Sequence, residues 1–243
     1  VSAAQNILRN KAIRLRKEYD QIVMYSLPIF PLDTVLFPGM PIQLHIFEPR
    51  YRLMIRHCLD HRQPFGVVLI HQGLEANGPL ASPVKVGCAA RIIQVDPLED
   101  GCMNLTAMGD ERFRILNLNY DLPYLVGEVE SLPLERPHSL EIVRGVRQLS
   151  HLVLGYLKLI TQFQPDSTIN PANLQLPEDP LVMLSLAAAM LQVPTVEKQP
   201  LLEVTYASEM LDHLLRMYRR EAALLRRSLG QNEPANPKTV WLN

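Results

Sequence analysis

The chain has 243 residues, of which 47% are hydrophobic and 20% charged, with a net charge of −1. That length and balance describe a folded protein with room for one sizeable core or two smaller ones, and they exclude a disordered chain. The charge lacks the basic excess of a dedicated nucleic-acid binder. Cys58, Cys88 and Cys102 show no CxxC spacing, so neither a disulfide framework nor a zinc ribbon is expected, and a reducing cytoplasm fits. The densest apolar run, Leu181–Leu191, is shorter than the ~20 residues a membrane span needs, and the N-terminus lacks the apolar stretch of a secretory signal. A cytoplasmic protein without a transmembrane segment is therefore expected.

Residues 1–24 carry a basic cluster (Arg9, Lys11, Arg14, Arg16, Lys17) interleaved with Ile7, Leu8, Ile13 and Leu15. A solvated arm is the favoured reading, and a basic amphipathic helix the other. Residues 27–51 follow, LPIFPLDTVLFPGMPIQLHIFEPRY, with Pro28, Pro31, Pro38 and Pro41 interrupting an apolar run. Proline lacks a backbone donor, so this stretch is expected at a sheet edge or corner and not in a central ladder. Ile42, Leu44 and Ile46 alternate with Gln43, His45 and Phe47, which predicts a strand. Pro49 suits the first turn of a helix through about Asp60. Further strands are expected over 65–70, 86–95, 102–108, 111–118 and 124–129, with Glu99-Asp100-Gly101 as a hairpin turn and 72–83 as a loop.

From residue 138 the period changes. Ile142, Val146, Leu149, Val153, Leu157 and Ile160 recur every three or four positions, predicting a helix over 138–163. After a loop at 164–178, Asp179 and Pro180 read as the cap and first position of a buried helix. Residues 194–200 are bounded by prolines, and a last helix over 205–229 presents Leu211, Leu215, Tyr218, Ala222, Leu225 and Leu229. Strands first and helices second make an α+β chain. The expected division is an arm (1–24), a β subdomain (25–135), a helical subdomain (136–230) and a loose tail (231–243).

Three blocks, in order, carry a family resemblance: the proline-rich opening, VGCAARIIQV…GDERFRIL…YLVGEVE, and LLEVTYASEMLDHLLRMYRREAALLRRSL. Together they span about 25–229 and resemble the N-terminal substrate-recognition domain of Lon proteases, also found in cereblon-like and stand-alone proteins. The resemblance implies a PUA-like β pseudo-barrel followed by a helical bundle, acting as one non-catalytic domain. The family's full-length proteases add an ATPase and a peptidase. No G-x-x-x-x-G-K-[ST] string occurs here, and none of the lysines sits in a peptidase context, so a stand-alone module without catalysis is expected.

Three further residue groups have patterns that could carry chemistry. His57 and His61, four apart on a helix, could share a metal with His71 or Cys102, but no supporting cluster accompanies them. His45 and Glu48 could form an acid–base pair, although a carboxylate there also suits a helix start. Arg112-Phe113-Arg114 has the pattern of a single-strand nucleic-acid reader, offset by Asp110 and Glu111. An RNA-binding PUA-like protein and a metal-dependent hydrolase are thus the alternatives. The favoured expectation is a protein-binding module for exposed apolar segments of unfolded or damaged polypeptides, serving an ATP-dependent protease as an adaptor, with no cofactor and no metal. Its contact residues are expected to be Leu36, Phe37, Pro38, Met40 and Tyr51, with Phe30 and Phe47 in the core. The proline-flanked edge could also accept an extended peptide by strand addition.

Overall fold

The computed structural model describes residues 24–73, 81–135, 140–163 and 174–231, so the basic arm and the tail lie outside the described residues. Six strands come first: β1 (Met24–Leu32), β2 (Pro41–Ile46), β3 (Phe65–Gln72), β4 (Ser82–Pro97), β5 (Met103–Asn119) and β6 (Leu125–Ser131). Helix α1 (Pro49–His61) lies between β2 and β3, with Pro49 at its first turn as expected. Helices α2 (Leu140–Phe163), α3 (Pro180–Met190), α4 (Thr195–Glu203) and α5 (Ala207–Gln231) follow.

The sheet order is β2-β5-β4-β3-β1-β6, and a further β5–β6 pairing closes five of the strands into a ring. This is the α+β pseudo-barrel and helical bundle expected. Length explains the closure. β5 pairs β2 through Met103–Met108, then β6 through Phe113–Asn119, while β4 runs along its other side. β2 and β6 thus lie in succession along one edge of β5.

One expectation is corrected. β1, with Pro28 and Pro31, is not a sheet-edge segment: it lies between β3 and β6. It tolerates two prolines because it changes partner midway. Met24–Ile29 pairs antiparallel with β6, and Ile29–Leu32 pairs parallel with β3. Only Ile29 is paired on both sides, so each proline lies where one side of the strand needs no donor.

The helical core follows from the sequence stripes. Leu149 and Val153 on α2 and Leu214 and Tyr218 on α5 are fully buried, and the Tyr156 and Tyr218 rings meet edge-on at 5.2 Å. Asp179 Oδ1 accepts from the Leu181 and Val182 amides at 2.9 and 3.1 Å, the expected cap of α3. At the other end of α3, the Tyr218 hydroxyl donates to the Ala187 carbonyl and Lys198 Nζ to the Ala189 carbonyl. Helix α4 was not among the expected elements: 195–203 is helical despite Pro200 inside it. Leu201 and Leu202 are buried at its end, and that packing outweighs the lost hydrogen bond.

Candidate functional site

The proline-rich segment forms a welded turn. Met40 N donates to the Phe37 carbonyl at 3.1 Å, Pro38 takes the second position, and Gly39 has φ +77°. These are the requirements of a type II turn. It docks on β5 in the gap between β2 and β6: Gly39 N donates to Gly109 O at 2.8 Å, and Gly109 N to Met40 O at 2.9 Å. Gly109 permits this approach, because a Cβ there would lie 2.4 Å from the Phe37 carbonyl oxygen.

Docking consumes most of the apolar side chains expected to contact a ligand. Leu36, Phe37 and Tyr51 are 5%, 1% and 3% exposed. Leu36 and Tyr51 fill the barrel core, Phe37 joins the helical core, and Met40 packs against both. As broadly exposed contacts, these three drop out; they hold the turn between two cores. Pro38 and Met40 are half-buried. Phe30 is in the core as expected, stacked on Tyr51 at 4.1 Å, but Phe47 is 43% exposed. The signal for Phe47 was already in the alternation, which sets it on the face of Gln43 and His45.

Two grooves involve the residues expected to contact a ligand. One, of about 410 Å³, is lined by Phe30 and Leu32 of β1, by Gln43–Phe47, and by Glu48 and Tyr51. Within the described residues, β2 pairs only with β5, and β1 beyond Ile29 pairs only with β3. The groove is therefore a seam walled by two strands that each have one side outside the ladders. The second groove, of about 200 Å³, lies where barrel and bundle meet, and Phe37 and Pro38 share its wall with Leu132, Leu134, Leu181 and Met210.

Arg112 crosses that junction, a role the sequence pattern did not reveal. It is 5% exposed, and Nη1 donates to the Leu202 and Val204 carbonyls at 2.8 and 2.7 Å, capping the end of α4. Burial pushes its guanidinium down to about 10. Gln199 Nε2 makes a second crossing, to the Val86 carbonyl at 3.1 Å. These contacts remove the residues of the nucleic-acid reading. Arg112 and Phe113 are buried, and Arg114 pairs with Glu130 at 2.9 Å.

The other candidates are likewise occupied. His61 Nδ1 bonds the His57 carbonyl at 2.9 Å, and among the described residues no three His, Cys, Asp or Glu side chains gather as a metal site. His45 Nδ1 meets Asn104 Oδ1 at 2.8 Å, whereas Glu48 pairs with Arg50 at 2.9 Å, so the two form no acid–base couple. Burial pushes the Cys58 and Cys88 thiols up to about 12, which keeps them protonated and inert at neutral pH. No helix among the described residues is long and apolar enough to cross a membrane.

Known proteins match this architecture. The family model for the ATP-dependent protease La (LON) substrate-binding domain aligns with residues 26–220. Lon protease 1 of Hydrogenovibrio crunogenus is 25% identical over 193 residues, which cover 79% of this chain and 23% of that protein. Lon protease of Escherichia coli K12 is 25% identical over 205 residues, covering 82% and 25% respectively. The chain thus spans about a quarter of the length of these curated relatives. A Lon N-terminal domain protein from Xanthomonas campestris superposes with a TM-score of 0.57 at 26% identity, over 79% of this chain and 98% of that one. The N-terminal domain of a Mycobacterium avium complex Lon protease shares the fold, with a TM-score of 0.62 at 19% identity, over 80% and 98%. An alignment running from β1 into α5 leaves one conclusion: the chain belongs to the LON substrate-binding domain family.

Proposed function

We propose that this chain binds extended apolar segments of unfolded or damaged polypeptides and presents them to an ATP-dependent protease. The observation that carries the reading is the seam: two strands, each with one side outside the ladders, walling an apolar groove of about 410 Å³. An extended segment lying there would satisfy backbone groups along β2 and place alternate side chains against Phe30, Leu44 and Phe47. Pro38 and Met40, which lie outside the seam's lining, would add contact surface on the turn, with Met40 as the adaptable part. Tyr51 would act as floor rather than as an exposed anchor. Residues 25–135 and 136–230 would work as two lobes of one unit, a reading supported by the Arg112 and Gln199 bonds across the junction. The protease partner is suggested by the names of the relatives.

The test is fluorescence anisotropy of the purified chain with a labelled, permanently unfolded polypeptide. Saturable binding is expected, and Phe47→Ser should weaken it about 30-fold, the loss typical of an aromatic hot spot of ~2 kcal/mol. Its melting temperature should barely move, because Phe47 is 43% exposed. No saturable binding at tens of micromolar, or full binding by Phe47→Ser, would overturn the site. Presentation is tested separately, by adding the chain to an ATP-dependent protease and following degradation of the same polypeptide. An unchanged rate removes the adaptor role.

A further inference from the structure

The ring leaves one stretch of strand edge open. β4 pairs with β3 only as far as Ala90, which lies opposite Phe65. Beyond it, residues 91–97 pair with β5 on one side and, within the described residues, with no strand on the other. Pro97 has no backbone donor, so the open edge is residues 91–96. Such an edge is a template for another strand unless something blunts it. At its centre Ile93 is 58% exposed.

The order of side chains along this edge reads the same from either end. A bulge in the β4–β5 ladder leaves Ile93 as an extra residue between Ile92, opposite Ala107, and Gln94, opposite Thr106. Arg91, Ile93, Gln94 and Asp96 are exposed, while Ile92 and Val95 are half-buried against the barrel core. The exposure pattern is thus symmetric about the Ile93–Gln94 bond. Charge reverses about the same point, with Arg91 at one end and Asp96 at the other. An edge of this kind matches a second copy of itself running antiparallel. Arg91 would face the partner's Asp96, Ile92 the partner's Val95 and Ile93 the partner's Gln94, so every pair joins side chains of one face. A shift of one residue either way sets a half-buried position opposite an exposed one, and the faces no longer match. Both bulges meet at the twofold axis, so neither strand runs out of step with the other.

Local pairs do not use up the two charges. Arg91 meets Asp110 at 3.2 Å, but these side chains are 65% and 50% exposed, and an ion pair in that setting holds its members weakly. Asp96 accepts from Gln94 Nε2, a neutral donor, and keeps a carboxylate's capacity for a cation.

We propose that residues 91–96 of β4 pair with the same residues of a second copy, in the antiparallel register that sets Arg91 of each chain against Asp96 of the other. The strand order β2-β5-β4 would continue across the axis into β4-β5-β2 of the partner. β2 would form both outer edges, so the two seams would stay open and one long unfolded chain could engage both. The pairing itself does not depend on what the seams bind.

Sedimentation velocity of the full chain from about 10 to about 500 µM tests it, a range suited to a small interface. Mass should rise with concentration from 27.6 kDa towards twice that value. Arg91→Glu and Asp96→Arg should each weaken association at least about tenfold, since each sets two like-charged pairs across the axis. Both positions are exposed, so melting temperatures should hold. An equimolar mixture of the two variants should associate like the parent, because each charged pair across the axis is again of opposite sign. The double variant Arg91→Glu/Asp96→Arg should do the same. A chain that stays monomeric at every concentration overturns the proposal. Association that survives in both single variants overturns the register and moves the contact elsewhere. Single variants that remain monomeric when mixed overturn the pairing of Arg91 with Asp96. A monomeric chain whose grip on the unfolded polypeptide weakens in Ile93→Lys gives this edge to an extended client and overturns the second copy.

Discussion

The barrel and the bundle hide similar side chains by different means. In the barrel, backbones from distant parts of the sequence come close, as where the 37–40 turn rests on Gly109. In the bundle, helices meet through side chains: Tyr156 and Tyr218 pack edge-on, and even at Gly145 a Cβ would meet the Leu211 side chain and no backbone atom. The barrel therefore has places where a single added carbon is too much, and the bundle has places where it is welcome.

The sharpest way to break this contrast is Gly109→Val. Its Cβ would meet the Phe37 carbonyl oxygen at 2.4 Å, and neither partner is a flexible side-chain end. A loss of about 3 kcal/mol or more in urea unfolding is expected. A near-normal midpoint would mean that the turn is not welded to β5. A smaller effect comes from pH. The Cys88 thiol is fully buried in the barrel, and burial raises it to about 12. In the unfolded chain it ionises near 8.5. Between these values the unfolded state releases a proton that the folded state keeps, so stability falls as pH rises, by about 1.4 kcal/mol per pH unit. Urea midpoints between pH 9 and 10, below the ordinary tyrosine range, should slope less in Cys88→Ala than in the parent chain. Parallel slopes would assign the effect elsewhere. The smallest change is Gly155→Ala in α2, where a Cβ would meet nothing within 4 Å. It should stabilise the bundle by about 0.5–1 kcal/mol, the helix preference of alanine over glycine. A destabilised variant would show that the bundle is as backbone-tight as the barrel.

Much of the local structure was legible. The α2 stripe, the Asp179 cap, Pro49 at the start of α1 and the turn before Cys102 each depend on residues within a few positions of one another. Gly101 N donates to the Leu98 carbonyl at 3.0 Å, and of the Asp-Gly pair Gly101 takes the positive φ, at +79°. Legibility ended where a residue's partner is far along the chain. Pro28 and Pro31 argued against an internal strand, but β1 exchanges β6 for β3 at Ile29, and no local rule anticipates a change of partner. Arg112 and Arg114 lie on the same strand two residues apart. One is buried against the carbonyls of Leu202 and Val204, and the other pairs with Glu130. Their identical chemistry gave no hint of the difference, because it depends on α4, some ninety residues later.

The candidate site divides in the same way. The proline-rich turn was recognisable as a special segment, and Met40 and Pro38 do remain at its surface. Which of its apolar side chains face outward was settled by the gap on β5 that the turn fills and by the two cores that absorb Leu36 and Phe37. Element types, caps, turns and family membership are written in neighbouring residues and in ordered motifs, so the amino-acid sequence alone determined them. The closed ring, the seam between β1 and β2 and the junction groove around Arg112 depend on which distant surfaces meet. That choice is made by burial and backbone pairing across the whole chain, and only the tertiary structure decided it.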